Sequence, residues 1–279
     1  MSAAILSLNH LTVLTNPGLQ YSAINDGGRT RNHGSFDSAL RVVTVALELE
    51  QTVSQRKNAE RQQFDLTTWD KKTTGGLHDL DRLKLAAIYR NTTSVFEWGL
   101  GESSFIAAEV GVPRYAGIDS DPTWIKTARD ESPDHFRFHL GDIGPTGAWG
   151  RPVRSRLQKS YLNYQFAPLL SEKAFDVYTV DGRMRPACAL IAFLHASGRG
   201  ETEEEKSPIV IVHDYYHDIH SQNCSNCKKI QWQYVYHRIE EVADLIDHSR
   251  AMLAVFKRKA GVTDHDIIAL WEEIGLGDT

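Results

Sequence analysis

The stretch Phe96-Glu97-Trp98-Gly99-Leu100-Gly101-Glu102-Ser103-Ser104 decides how this chain folds. Ser94 to Trp98 is short and apolar-rich, which predicts a strand, and Ser103 to Val110 has the longer apolar pattern of a helix. Gly99 and Gly101 stand between them. A tight strand-to-helix turn needs their conformational freedom, and a ligand approaching the backbone there needs their lack of a side chain.

Working outward, short apolar runs alternate with helical segments. Tyr115 to Asp119, Phe136 to Leu140, Phe175 to Val180 and Pro208 to Val212 predict four further strands. Pro122 to Arg129 and Pro186 to Ser197 predict the helices between them, and Asp79 to Arg90 predicts an amphipathic helix ahead of the first strand. Met252 to Lys257 reads as a late strand and Asp264 to Ile274 as a closing helix. Such alternation predicts a doubly wound α/β fold, with a mainly parallel sheet of the seven-stranded type and helices on both faces.

Residues 1–75 form an N-terminal extension that caps or packs on the core, with a helix or helix pair expected over Asp37 to Gln62; residues 76–279 are the α/β domain. Gly144 to Lys173 stands out as a long insertion, expected either as a lid or substrate-binding element or as a surface excursion. Its Trp149, Tyr161, Tyr164 and Phe166 would wall an acceptor pocket, and Arg151, Arg154 and Arg156 would attract an anion. Gly200 to Lys206 reads as a solvated loop.

Composition narrows the classes. The net charge of −5 argues against a nucleic-acid or anionic-membrane partner. No apolar run is long enough to span a bilayer, and the N-terminus lacks a basic signal-peptide region. Three cysteines supply no disulfide framework, so a cytoplasmic location is expected. A homodimer is compatible with these numbers.

The sheet rule gathers the ends of adjacent strands into one crevice. Glu97 ends the first strand, Asp119 the second, and Asp142 follows the third. Each of the latter two, taken singly, also fits a turn or cap; their joint spacing favours a ligand site. Asp119 suits ribose hydroxyls and Asp142 an adenine amino group. Glu97, with Glu102, opposes a pyrophosphate and suits the cationic amino-acid end of S-adenosylmethionine (SAM).

These segments resemble the motifs of class I SAM-dependent methyltransferases. Phe96 to Ser104 resembles their first motif, with Ser103 in place of a third glycine. Gly117-Ile118-Asp119-Ser120-Asp121-Pro122-Thr123-Trp124 is similar to the second. Asp142 matches the third, and Asp176-Val177-Tyr178-Thr179-Val180-Asp181-Gly182-Arg183 the fourth. The resemblance covers about residues 75–260 and implies that Glu97, Gly99, Gly101, Ser103, Asp119 and Asp142 bind SAM.

Asp181 follows the fourth strand and His213-Asp214 the fifth, so all three are expected at the chemical end of the crevice. His213 is a candidate base for the acceptor proton. Asp181 and Asp214 can form a pair for Mg²⁺, a layout that resembles metal-dependent O-methyltransferases. Arg183 and Arg185 are candidates for a substrate carboxylate, or equally surface charges flanking the helix start at Pro186. His217, His220, Cys224 and Cys227 offer four ligands for a structural Zn²⁺, or a polar loop with reduced thiols. The expected activity is methyl transfer to a small-molecule acceptor, anionic in one version, at oxygen first and nitrogen second. Two alternatives stay open: an NAD-dependent oxidoreductase using the same glycines, and a non-catalytic SAM-fold module.

Overall fold

A computed structural model describes residues 63–71, 76–147, 150–153, 158–171, 173–197, 208–215 and 231–275, all within one compact unit, Ser38–Thr279. The expected helices over 37–62, the loop 200–206 and the four ligands His217, His220, Cys224 and Cys227 lie outside the described residues.

Seven strands form one sheet in the order β3-β2-β1-β4-β5-β7-β6. The elements run α1 (Asp79–Tyr89), β1 (Ser94–Trp98), α2 (Glu102–Glu109), β2 (Arg114–Asp119), α3 (Pro122–Glu131) and β3 (Arg137–Leu140). They continue with α4 (Gln158–Gln165), β4 (Val177–Val180), α5 (Arg185–Ala196), β5 (Ile209–Val212) and α6 (Gln231–His237). Last come β6 (Ala243–His248), β7 (Ala254–Arg258) and α7 (Asp264–Ile274). β1 pairs in parallel with β2 and β4, β2 with β3, and β4 with β5; only β7 runs antiparallel to its neighbours β5 and β6.

Every residue of β1, β2 and β4 is buried, which is why these strands read as apolar runs rather than alternations. Successive side chains still point to opposite faces. Phe96, Trp98, Ile118, Tyr178 and Val180 pack with α4, α5 and α7 on one face. Val95, Tyr115, Val177 and Ile211 pack with α1, α2 and α3 on the other. Glu97 shares the face of Val95, and that places its carboxylate beneath the start of α2.

The stretch 144–173 is not structureless: its described residues include α4. Parallel β3 and β4 lie on opposite sides of β2 and β1, so the chain must cross the sheet, and such a crossover needs a covering element. α4 is that element. Tyr161 and Tyr164 are buried in the core beneath it, with Trp98 Nε1 donating to the Tyr164 carbonyl at 2.9 Å. Phe166 packs on Trp271, ring centroids 5.2 Å apart. Tyr161 and Phe166 cover the sheet, and Tyr164 does so with its hydroxyl reaching the Arg183 amide at the end of β4; Trp149, Arg154 and Arg156 lie outside the described residues.

β6 is the strand the sequence hides. Only Ala243 is buried along it. Its acidic residues Asp244 and Asp247 suit an exposed sheet edge, where charge discourages pairing with another chain.

Candidate functional site

The crevice lies at the C-terminal ends of β1, β2, β4 and β5. Its floor is the first glycine turn. Gly99 has φ +84°, and a Cβ added there would lie 2.4 Å from the Gly182 amide nitrogen. The β1 and β4 ends therefore touch backbone to backbone, and only glycine permits both the angle and the contact. Gly101 differs: its φ is 175°, ordinary extended backbone, and a Cβ there would meet nothing within 4 Å. Open space above that turn is what a ligand would need.

Glu97 is fully buried, and Ser103 Oγ and Ser104 Oγ (2.9 Å) donate to its two carboxylate oxygens. Ser103, in the place of a third glycine, thus has a job of its own. Burial pushes the Glu97 carboxyl well above the usual carboxylate range despite those two hydroxyls. Asp119 accepts from the Leu100 amide at 2.7 Å and the Asp121 amide at 2.8 Å. Burial outweighs these bonds and raises its pKa to about 6. Asp142 is exposed and accepts from the Gly144 amide at 2.8 Å. Glu97 and Asp119 thus flank the glycine turn, while Asp142 sits at its outer rim after β3.

Glu102 does not carry the role expected of it. It is buried and paired with Arg82 at 2.8 Å, and it also accepts from the Leu77 amide. Its charge is cancelled, so it ties α1 to α2 instead of repelling a phosphate.

Asp181, His213 and Asp214 do meet. His213 Nδ1 lies 2.8 Å from Asp181 Oδ1 and 3.8 Å from Asp214 Oδ1. A third carboxylate faces the ring from the other side, Asp81 Oδ2 at 3.8 Å from Nε2. Burial disfavours a charged imidazole, but Asp181, Asp81 and Asp214 overcome it and raise His213 to about 10. The imidazole is consequently an imidazolium at neutral pH, and it cannot take a further proton. The direction of this shift favours a carboxylate of the cluster over His213 as the base.

The donor atoms of these three residues lie within 4.8 Å of one another, close enough for a cation. Arg185 supplies that cation. Its guanidinium reaches Asp181 Oδ1 at 3.0 Å and Asp214 Oδ2 at 2.6 Å. Carbonyls of Gly182, His213 and Asp181 accept its remaining N–H groups. Mg²⁺ on Asp181 and Asp214 would sit against a buried, fully bonded positive charge, so the residues present do not fit a resident divalent ion there. The same bonds remove Arg185 from the candidates for a substrate carboxylate.

Two residues of this cluster escape a reading by motif. Asp81 is wholly buried, and besides His213 it holds Ser249 Oγ and the Met252 and Leu253 amides. In sequence it is an acidic residue in the first turn of a helix, where dipole and capping explain it fully. Tyr236, on α6, is buried, and burial together with Asp214 and Asp181 pushes its hydroxyl up to about 12. Nothing in its spacing distinguishes it from a core aromatic.

No family model matches the sequence, and no curated protein matches it. Among solved structures, the chain is similar to a methyltransferase-like protein from Silicibacter pomeroyi, with TM-score 0.55 and 23% identity over 73% of this chain and 97% of that one. An O-methyltransferase from Bacillus cereus in complex with S-adenosylhomocysteine (SAH) matches at TM-score 0.40 and 12% identity, over 77% of this chain and 91% of that one. An N-methyltransferase from Bradyrhizobium japonicum, also in complex with SAH, matches at TM-score 0.38 and 11% identity, over 76% and 97%. The strand order and the first of these likenesses define the class: this is the fold of the class I SAM-dependent methyltransferases. No helix among the described residues is long and apolar enough to cross a membrane.

Proposed function

We propose that this chain transfers a methyl group from SAM to the oxygen of a small-molecule acceptor. One observation carries the proposal: buried Glu97 and Asp119 flank an open glycine turn, and the same row of strand ends continues into a charged cluster at Asp181, His213 and Asp214. SAM would supply an electrophilic methyl group on a sulfonium. Asp119 would accept from the ribose hydroxyls, Gly101 would let the ligand lie against backbone, and Gly99 would hold that turn against Gly182. Ser103 and Ser104 keep Glu97 in place beneath it. Asp142, at the rim, keeps one carboxylate oxygen that the Gly144 amide does not use.

In this proposal the acceptor proton goes to a carboxylate. Asp214 is the more exposed of the pair Asp181 and Asp214, and it is our candidate for the base. His213, charged and held by Asp181, would stabilise the oxyanion that forms. Arg185 keeps this constellation rigid. An acidic hydroxyl, such as a phenol or enol, fits a carboxylate base better than an alcohol does.

The test is calorimetry with SAM and SAH, followed by SAH release with candidate acceptors. Failure of both ligands to bind would sink the proposal. An NAD-dependent oxidoreductase keeps one supporting observation, the neutralisation of Glu102 by Arg82. It expects Glu97→Ala to tolerate nicotinamide cofactor, whereas the SAM proposal expects that variant to lose SAH.

A further inference from the structure

Arg183 is the exception among the arginines of the core. Arg82, Arg114 and Arg185 are all buried and all paired: Arg82 with Glu102, Arg114 with Ser171 and backbone carbonyls, Arg185 with Asp181 and Asp214. Arg183 is half-buried, and its guanidinium makes no hydrogen bond or ion pair among the described residues. Its backbone is held instead, the amide donating to Tyr164 Oη at 3.4 Å and the carbonyl accepting from Cys188 Sγ at 3.4 Å. The next residue, Met184, is fully buried and left-handed at φ 53°. Asp214, across the crevice mouth, is left-handed too, at φ 59°. Met184 and Asp214 thus both hold left-handed backbone beside one crevice.

The Asp181 carboxylate lies close enough to feel the Arg183 charge, but it is already bonded to Arg185 and His213. Burial and the nearby Arg185 hold the Arg183 proton less tightly than usual, Arg151 adds to that, and the Tyr164 and Tyr236 hydroxyls also face it. Arg185 is already neutralised by two carboxylates. Arg151 is exposed and, like Arg183, has no ion pair among the described residues. It belongs to the turn closed by the Thr146–Pro152 bridge, whose Gly150 would bring a Cβ to 3.2 Å from Ser120 Oγ at the end of β2. Two cations thus act on one another at the crevice, one of them half out of water, and neither is bonded to a carboxylate among the described residues. A half-buried guanidinium whose N–H groups bond to nothing among the described residues is a standing cost, and an anionic ligand would remove it.

We propose that Arg183, assisted by Arg151, binds an oxyanion carried by the methyl acceptor, either a carboxylate or a phosphate. The acceptor is therefore an anionic small molecule that presents its hydroxyl to Asp214 and its anion to Arg183. This rests on the proposal that the crevice takes a methyl acceptor.

The test uses the full chain, with and without saturating SAH, titrated with 4-hydroxybenzoate, its uncharged methyl ester and inorganic phosphate. At least one anion is expected to bind, and the ester at least about tenfold more weakly than its acid, as loss of a charge-assisted bond implies. Tighter binding of the benzoate assigns a carboxylate; tighter binding of phosphate assigns a phosphate. Arg183→Gln is expected to weaken the bound anion about tenfold or more and Arg183→Lys less, with SAH affinity unchanged and the circular dichroism spectrum retained. Absence of anion binding, equal binding by wild type and Arg183→Gln, or an ester that binds as well as the acid would each overturn the proposal. So would loss of SAH affinity in Arg183→Gln, since the arginine would then serve the cofactor. Failure of wild type to bind SAH sinks the cofactor proposal instead, and the titrations without SAH still report on Arg183.

Discussion

Arg185 and Asp214 form an ion pair of 2.6 Å at the mouth of the crevice, between the end of β4 and the end of β5. The same guanidinium reaches Asp181, so one buried arginine neutralises the two carboxylates that sequence motifs would assign to a metal. With Asp81 and His213 the cluster holds three negative and two positive groups. Its charge is nearly closed without any added ion.

The first prediction concerns that closure. Methyl transfer by wild type is expected to be unchanged in EDTA. Arg185→Gln strands three carboxylates around one imidazolium and should lower stability by about 3–5 kcal/mol, as for removal of one partner from a buried pair. Mg²⁺ should then raise the melting temperature of the variant and leave wild type unmoved. A wild type that loses activity in EDTA would mean that a metal displaces Arg185.

A second prediction separates chemistry from binding. Asp214→Asn removes the proposed base while leaving an oxygen for Arg185. Its kcat is expected to fall about 100-fold or more, the usual contribution of a positioned base, with SAH affinity within about twofold of wild type. If SAH affinity falls instead and kcat holds, Asp214 supports the cofactor and another group takes the proton.

The two glycines of the first turn should respond oppositely to the same substitution. Gly99→Ala combines a left-handed φ with a Cβ 2.4 Å from Gly182 nitrogen, so the β1 and β4 ends must part. A loss of at least about 1–3 kcal/mol follows from the backbone alone, and denaturant unfolding would show it. Gly101→Ala meets no atom within 4 Å and has an extended φ, so the fold should tolerate it. Any loss of SAH binding in Gly101→Ala then reports on the ligand. Equal destabilisation by both would contradict the geometry.

Much of this architecture was legible in the sequence because its central strands are buried on both faces. β1 appears with its full bounds, and α7 likewise. The strand-end rule then brought Asp181, His213 and Asp214 together correctly. What stayed hidden has physical causes. β6 lies at an exposed edge and lacks the apolar pattern of a strand. α4 is a polar stretch, Gln158 to Gln165, whose burial depends on two tyrosines that looked like pocket walls. Asp81 and Arg185 act through partners 132 and 29 residues away in sequence, His213 and Asp214, and no local spacing reports a pair closed by the tertiary fold. Charge states are hidden for the same reason: His213 looks like a base until three carboxylates surround it.

The final prediction follows Asp119. Burial places its pKa at about 6 in the fold, against an ordinary 3.8, and Asp121, Tyr164 and Glu97 are the ionisable groups whose charges couple to it. Because the folded value is raised, protonation favours the fold. That contribution is complete below about pH 3.8 and is lost as pH rises through about 6. The melting temperature of wild type, relative to Asp119→Asn, should therefore decline across this window. Ribose hydroxyls need the ionised form as acceptor, so ligand binding runs the other way. SAH affinity should fall below about pH 6 by up to about tenfold per unit, since each proton bound must be released first. Asp119→Asn should bind weakly and show no such slope. Calorimetry from pH 5 to pH 8 on both proteins makes the comparison, and a flat wild-type profile would detach Asp119 from the ribose.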